Sequence, residues 1–340
     1  CEQAIQSFDE LWKNFGLLDC TIWRMWGGFK AKDYKGNGLN FVVSSFQTAY
    51  RWLVSNKDED FQSFVQLKNK CNLLIIDEAH MSTAPTYRAV IENIGSINTK
   101  RIGLTATPGR ADHEETEGLS DFYNGQIIEM SDDSGSTLEN PIKFLQEKGI
   151  LSKIKSKIIQ GTNTTLNPNE VNEISEKLEL PASLLANIST DQTRFLNVAK
   201  EVLNYAKIEN KQTLVFCPSK NNALLLNTFL NEKGCKSAAI TSDLEMGERQ
   251  TKLELFKDNK IQVITNFNVL TTGFDSPNIE VVIIARPTLS VVLYSQMIGR
   301  GLRGKEVGGT EEILLIDVDD NFNNMPNLYK AFTYFNNYFR

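Results

Sequence analysis

Histidine is almost missing from these 340 residues: there are two, His80 and His113. Cysteine is scarce as well, and Cys1, Cys20, Cys71, Cys217 and Cys235 form no CxxC pair. A zinc site built on paired thiols and imidazoles is therefore not expected. An odd number of scattered thiols reads as reduced and mostly buried rather than as a disulfide framework, which points to a cytoplasmic protein. No apolar run approaches the roughly 20 residues that a membrane helix needs, so no membrane partner is expected. Positive charge is not in excess either, and the net charge is −6. That balance argues against a protein that coats nucleic acid nonspecifically. It leaves room for one that grips a backbone in one local groove with amides and a few Lys or Arg. No internal repeat and no low-complexity tract appears.

What is present is ordinary for a globular chain: 41% hydrophobic and 23% charged residues. The length suffices for two domains, each with its own core.

The most informative stretch is Leu73-Leu74-Ile75-Ile76-Asp77-Glu78-Ala79-His80. Four apolar residues in a row fit a buried parallel strand, and two acids stand at its carboxyl end. Ligands of open α/β sheets bind at that end. An acid there can hold Mg²⁺ through water, and its neighbour Glu78 is placed to polarise an attacking water. A capped strand followed by a solvated acidic turn fits the same residues.

Upstream, Ile5, Phe8, Leu11, Trp12 and Phe15 recur at three- and four-residue spacing, which predicts an amphipathic helix over 2–16 closed by Gly16. A glycine-rich loop (27–38) and the strand Leu39–Val43 follow. Ser44, Gln47 and Thr48 stand at that strand's end, suited to phosphate oxygens or, equally, to capping the next helix. The charged run 57–60 reads as a surface turn. Downstream, the strand Arg101–Leu104 ends in Thr105-Ala106-Thr107-Pro108-Gly109-Arg110, hydroxyls on a tight turn that could sense a nucleotide or simply form an ordinary turn.

Residues 111–195 are looser, with a mixed helix and strand over 142–159 and an amphipathic helix stopped before Pro181; we take 131–195 as connector plus insertion. From about 193 a strand–helix alternation resumes, with strands at 213–217, 237–240, 261–265, 281–285 and 313–316. Such repetition predicts a parallel sheet with helices on both faces. The expected layout is a first lobe over 1–130, a second over 196–322 and an aromatic tail over 323–340, which fits packing onto the second lobe better than base stacking.

Together these pieces resemble the motor core of superfamily 2 helicases. Asp77-Glu78-Ala79-His80 resembles the DEAH box, Thr105-Ala106-Thr107 the third motif, and 44–48 the motif that touches the nucleic-acid backbone. In the second half Leu214–Cys217 is similar to motif IV, Thr265–Pro277 to motif V and Gln296–Arg303 to motif VI. The wording of 270–279 and 286–303 is similar to the branch of RadD-like repair helicases and restriction-enzyme motor subunits. The resemblance implies an α/β fold of two RecA-like lobes with ATP and Mg²⁺ as cofactors. It assigns Asp77 to the metal, and Glu78 to the attacking water. Arg300 and Arg303, three apart on one expected helix face, become arginine fingers. Gly273 and Asp275 meet the ribose or the lobe interface; Gln296 and His80 couple hydrolysis to lobe closure. Ser44, Gln47, Thr48, Thr105, Thr107, Arg110, Thr271 and Thr272 contact nucleic acid or couple to it.

One departure stands out: no GxxxxGK[ST] occurs in these residues. The expectation is that the first lobe is incomplete at its N-terminus and that the phosphate loop lies upstream. The function implied is an ATP-dependent helicase or translocase, acting on DNA with RNA as the weaker alternative, in repair or in restriction and antiphage defence with nuclease or specificity subunits. A noncatalytic nucleic-acid-binding scaffold is the competing class; an intact set of acids and arginines speaks against it.

Overall fold

The computed structural model describes residues 1–16, 18–26, 38–55, 62, 65, 68–105, 113–126, 128, 130, 131, 134–138, 140–177, 180–270 and 278–323. The chain divides into two compact units, Cys1–Ile128 and Glu129–Arg340.

In the first unit, α1 (Glu2–Phe15) ends at Gly16, whose amide donates to Trp12 O. The Phe8 ring stacks on Phe41 at 3.7 Å, which seats the helix on β2 (Leu39–Ser44). That strand runs parallel to β1 (Cys20–Met25), paired from Cys20↔Leu39 to Met25↔Ser44. Next, α2 (Phe46–Leu53) buries Trp52 against Met25. The second ribbon consists of β3 (Leu73–Asp77) and β4 (Lys100–Leu104), also parallel, joined through α3 (Pro85–Asn93) and followed by α4 (His113–Phe122). Because side chains alternate along a strand, the pairing sends Leu74 and Ile76 to one face and Leu73 and Ile75 to the other. The first face is core: Ile76, Ala79 and Ile91 pack with Phe46, Tyr87, Phe122 and Tyr123. The second is open, with Leu73, Ile75, Ile102 and Leu104 exposed at 50%, 51%, 37% and 51%. Among the described residues each sheet of this unit has two strands.

The second unit holds one six-stranded sheet, entirely parallel, in the order β5-β10-β9-β6-β8-β7. The strands are β5 (Lys153–Thr165), β6 (Thr213–Phe216), β7 (Ser237–Ile240), β8 (Val263–Asn266), β9 (Val281–Ile284) and β10 (Glu312–Asn323). Its helices are α5 (Pro141–Glu147), α6 (Pro168–Lys177), α7 (Ala182–Thr190), α8 (Gln192–Val202) continued by a π-helical turn Leu203–Ile208, α9 (Lys220–Glu232), α10 (Met246–Lys257) and α11 (Val291–Gly299). Every residue of β6, β8 and β9 is buried, as expected of short apolar strands covered on both faces. Val215 and Ile283 enter a core with Val198, Val202 and Leu226; Leu214, Phe216 and Val282 enter the opposite one with Phe256, Met297 and Ile298. Arg194 of α8 is buried between the layers. It donates to Asp320 through Nε (2.7 Å) and Nη2 (2.9 Å) and to the carbonyl of Ala285.

Residues 131–195, read from sequence as connector plus insertion, contribute β5 to this sheet, paired with β10 from Lys153↔Glu312 to Thr165↔Asn323. The tail beyond Asn323 lies outside the described residues, as do most of the glycine-rich loop and the turn at 57–60.

Candidate functional site

β3 delivers Asp77, exposed, at its carboxyl end, and the chain then turns sharply. Glu78 makes the turn in the left-handed region, φ 53° and ψ 46°. That conformation costs an L-residue roughly 1–2 kcal/mol and gathers at functional sites. Here it is held from three sides. The Glu78 amide donates to Asp77 Oδ1 at 2.9 Å, its carbonyl accepts from Met81 N at 2.9 Å, and a short 3₁₀ turn over Ala79–Met81 follows. The turn buries His80, whose Nδ1 lies 3.1 Å from Thr105 Oγ1 and 3.5 Å from Glu78 Oε2. One imidazole thus links the acidic turn after β3 to the hydroxyl that ends β4. Sequence alone could not join residues 25 apart in this way.

The turn rests on two residues that the sequence reading did not single out. Ser82, fully buried, shares a 2.9 Å hydrogen bond with the hydroxyl of Tyr123, and burial pushes the Tyr123 phenol up. Gly103 lies beneath them on β4: a Cβ there would come within 2.7 Å of the Tyr123 ring and 2.8 Å of Ala79 Cβ. Bare backbone at 103 is what lets the Tyr123 ring and Ala79 pack directly on β4.

The hydroxyls at the end of β2 are spent on structure. Ser44 Oγ donates to Met25 O (2.8 Å), tying β2 to β1. Ser45 caps α2, accepting from Thr48 N, and Thr48 is buried. Of the three candidates there, Gln47 alone is exposed.

In the second unit α11 is capped at its start by Ser290, whose Oγ accepts from Leu293 N (3.2 Å). It carries Gln296, half-buried, and ends at Gly299 with Arg300 as its C-cap. Arg300 Nε donates weakly to Gln296 O at 3.4 Å. Arg303 does not continue that helix, contrary to the shared helix face expected from the sequence. Gly301 packs so closely on the sheet that a Cβ would meet Val282 Cγ2 at 2.6 Å, the chain turns there, and Arg303 forms an antiparallel bridge with Leu151. Below α11, the Tyr294 hydroxyl lies 2.9 Å from both carboxylate oxygens of Asp317 on β10. Burial raises the Asp317 carboxyl to about 7, with Asp319 adding to the effect and the Tyr294 hydrogen bond opposing it. An acid inside the apolar run 313–318 was the signal available for this pair. Thr107, Arg110, Thr271, Thr272, Gly273 and Asp275 lie outside the described residues.

The described residues contain no cluster of three metal-ligating side chains. One exposed carboxylate on a strand end, without a protein cage, suits Mg²⁺, which takes one or two carboxylates and fills its shell with water and phosphate oxygens. Asp77 fits that role.

Two α/β units, one with an acid-tipped strand and the other with a parallel sheet and arginines after its motif-bearing helix, define the class of RecA-like helicase cores. Comparison with known proteins agrees. Residues 1–110 match the family model "Type III restriction enzyme, res subunit", and residues 195–305 match "Helicase conserved C-terminal domain". The candidate ATP-dependent helicase IRC3 of Saccharomyces cerevisiae is 31% identical over 245 residues, 69% of this chain and 32% of its own length. A solved structure of S. cerevisiae Dbp5 bound to RNA and ADP BeF3 superimposes with a TM-score of 0.62 at 14% identity, over 99% of this chain and 72% of that one. A fragment of an HsdR subunit of a type I restriction enzyme from Vibrio vulnificus, itself assigned provisionally, gives a TM-score of 0.56 at 20% identity, over 94% of this chain and 54% of that one. The chain thus carries a res-subunit domain and a helicase C-terminal domain, and its relatives support a place among superfamily 2 helicases. It spans about a third of the length of the two yeast IRC3 relatives it matches.

Proposed function

We propose that these residues carry the hydrolytic and coupling parts of an ATP-dependent DNA translocase or helicase. The observation that carries the proposal is the Glu78 turn, with the acid in a left-handed backbone and His80 hydrogen-bonded to Thr105. A solvated acidic turn has no reason to hold a residue there or to bury an imidazole against the next strand's terminal hydroxyl. In this reading Asp77 holds Mg²⁺, which neutralises phosphate charge when bound. Glu78 orients and polarises the attacking water, and His80 reports the state of the acidic turn to Thr105. Arg300 and Arg303 stabilise charge on the transferred phosphoryl group. Thr271, Thr272 and Gln47 remain candidates for the nucleic-acid backbone. The match to restriction-enzyme subunits supports DNA as the track and nuclease or specificity subunits as partners.

The test is steady-state ATP turnover by the whole protein, with DNA, with RNA and with neither. Glu78→Gln should leave Mg-ATP binding nearly intact and lower turnover by about 100-fold or more. Turnover should rise with DNA more than with RNA. Normal hydrolysis by Glu78→Gln would remove the assignment; stimulation by RNA alone would replace the substrate.

A further inference from the structure

Arg303 sits in a turn whose backbone is stitched to a segment far away in sequence. Residues 149–152, between α5 and β5, run alongside 302–306. Gly304 N donates to Ile150 O at 2.9 Å, Ser152 N to Leu302 O at 3.1 Å and Glu306 N to Gly149 O at 3.1 Å. A Cβ at Gly304 would run into the Gly149 carbonyl, so the two backbones are in direct contact. Into this seam Ser152, fully buried, places its hydroxyl between two carbonyl oxygens, 2.6 Å from Arg303 O and 2.7 Å from Thr310 O.

A serine hydroxyl carries one proton and donates to one carbonyl at a time. Remove it, and Thr310 O loses this donor while Arg303 O keeps a backbone amide, so the tie from residue 152 to both carbonyls is gone. Arg303 O also accepts from Thr310 N at 2.9 Å, so one peptide is gripped from both sides. Gln146 of α5 completes the seam by donating Nε2 to Ser152 O at 3.2 Å.

We propose that Ser152 is a positioning residue for Arg303: its hydroxyl fixes the peptide from which the guanidinium extends. The proposal rests on the reading of Arg303 as a charge-stabilising arginine. It also gives a role to the segment leading into β5, which sequence patterning leaves without one. Misplacing a charge-stabilising group by an ångström costs far more in turnover than in binding. Ser152 therefore acts on kcat through the arginine and touches no substrate itself.

The experiment compares Ser152→Ala, Ser152→Cys, Arg303→Ala and the double variant Ser152→Ala/Arg303→Ala in the whole protein. Two quantities are read: amide hydrogen exchange over 302–310, and kcat and KM for ATP. In Ser152→Ala, exchange over 302–310 should quicken by about tenfold or more while β6 and β9 stay protected. In the same variant kcat should fall by about tenfold with KM changed less than about threefold. Ser152→Cys, which keeps a weak donor of similar size, should recover part of both and carries the test if the alanine variant does not fold. The double variant should turn over no more slowly than Arg303→Ala. Unchanged exchange over 302–310 overturns the clamp, and multiplicative losses in the double variant overturn the positioning role. If Arg303→Ala itself leaves turnover unchanged, it is the charge-stabilising reading that fails, and the exchange measurement alone decides whether the clamp stands.

Discussion

The strands Leu73–Asp77 and Val281–Ile284 are each built on four aliphatic residues in a row, yet they live in different surroundings. Val281, Val282, Ile283 and Ile284 are buried on both faces, between neighbouring strands on either side and helices above and below. Leu73 and Ile75 are about half exposed, on a ribbon that among the described residues has two strands and packs helices on one face. The difference teaches that an apolar run fixes the readiness of a strand to be covered, and its neighbours decide whether it is. One unit rests on a sheet covered on both sides. The other carries its acid-tipped strand on a ribbon that, among the described residues, is covered on one.

The sharpest way to break this contrast is to strike the better-packed unit at its buried ion pair. Asp320→Ala leaves the Arg194 guanidinium buried without its carboxylate, which costs about 3–5 kcal/mol. In calorimetry or denaturant unfolding followed separately in the two units, the second unit's transition should move to markedly milder conditions while the first unit's stays in place. If both units shift together, they unfold as one body and the contrast is void.

Acidity sharpens the comparison next. Asp317, raised to about 7 in the folded protein, keeps its proton where the unfolded chain releases it. Its contribution is fully present below about pH 4, is lost as pH rises to about 7, and changes no further above that. A tenfold change in proton affinity is worth about 1.4 kcal/mol, so the loss is at most about 4 kcal/mol. Denaturation midpoints of the second unit should therefore fall between pH 5 and pH 8 less steeply in Asp317→Asn than in the parent. An identical pH dependence would show that Asp317 ionises freely.

The smallest effects test the ribbon itself. Ile76→Ala, on its covered face, should destabilise the first unit by about 2–3 kcal/mol. Ile75→Thr, one residue away on the open face, should cost within about 0.5 kcal/mol. Equal costs at the two positions would mean that the open face is covered in solution.

Much of this arrangement was legible in the sequence because it depends on local pattern. The strand at 73–77, the buried strands at 213–216 and 281–284 and the helix ending at Gly16 all announce themselves by period or by polar punctuation. β5 did not. Lys153–Thr165 alternates polar and apolar residues unevenly, as suits an edge strand with one neighbour, and that neighbour, β10, lies some 150 residues further on. The end of α11 was hidden for a similar reason. Gly299 and Gly301 were visible, but the close contact of Gly301 with Val282, which turns the chain before Arg303, is tertiary. At the site the acids could be read directly. The grip of Ser82 and Tyr123 beneath them, and of Ser152 on Arg303, could not, since serines and tyrosines carry no sign of their partners.

The left-handed backbone at Glu78 has an evolutionary consequence. Asparagine and glycine are at ease in that conformation, whereas glutamate is not. Drift toward foldedness alone would therefore favour replacing this acid, and the first unit would become sturdier as the carboxylate disappeared. A glutamate that persists at this position does so against the backbone's preference. Its retention in any descendant of this chain is thus a measure of selection on chemistry, separable from selection on stability.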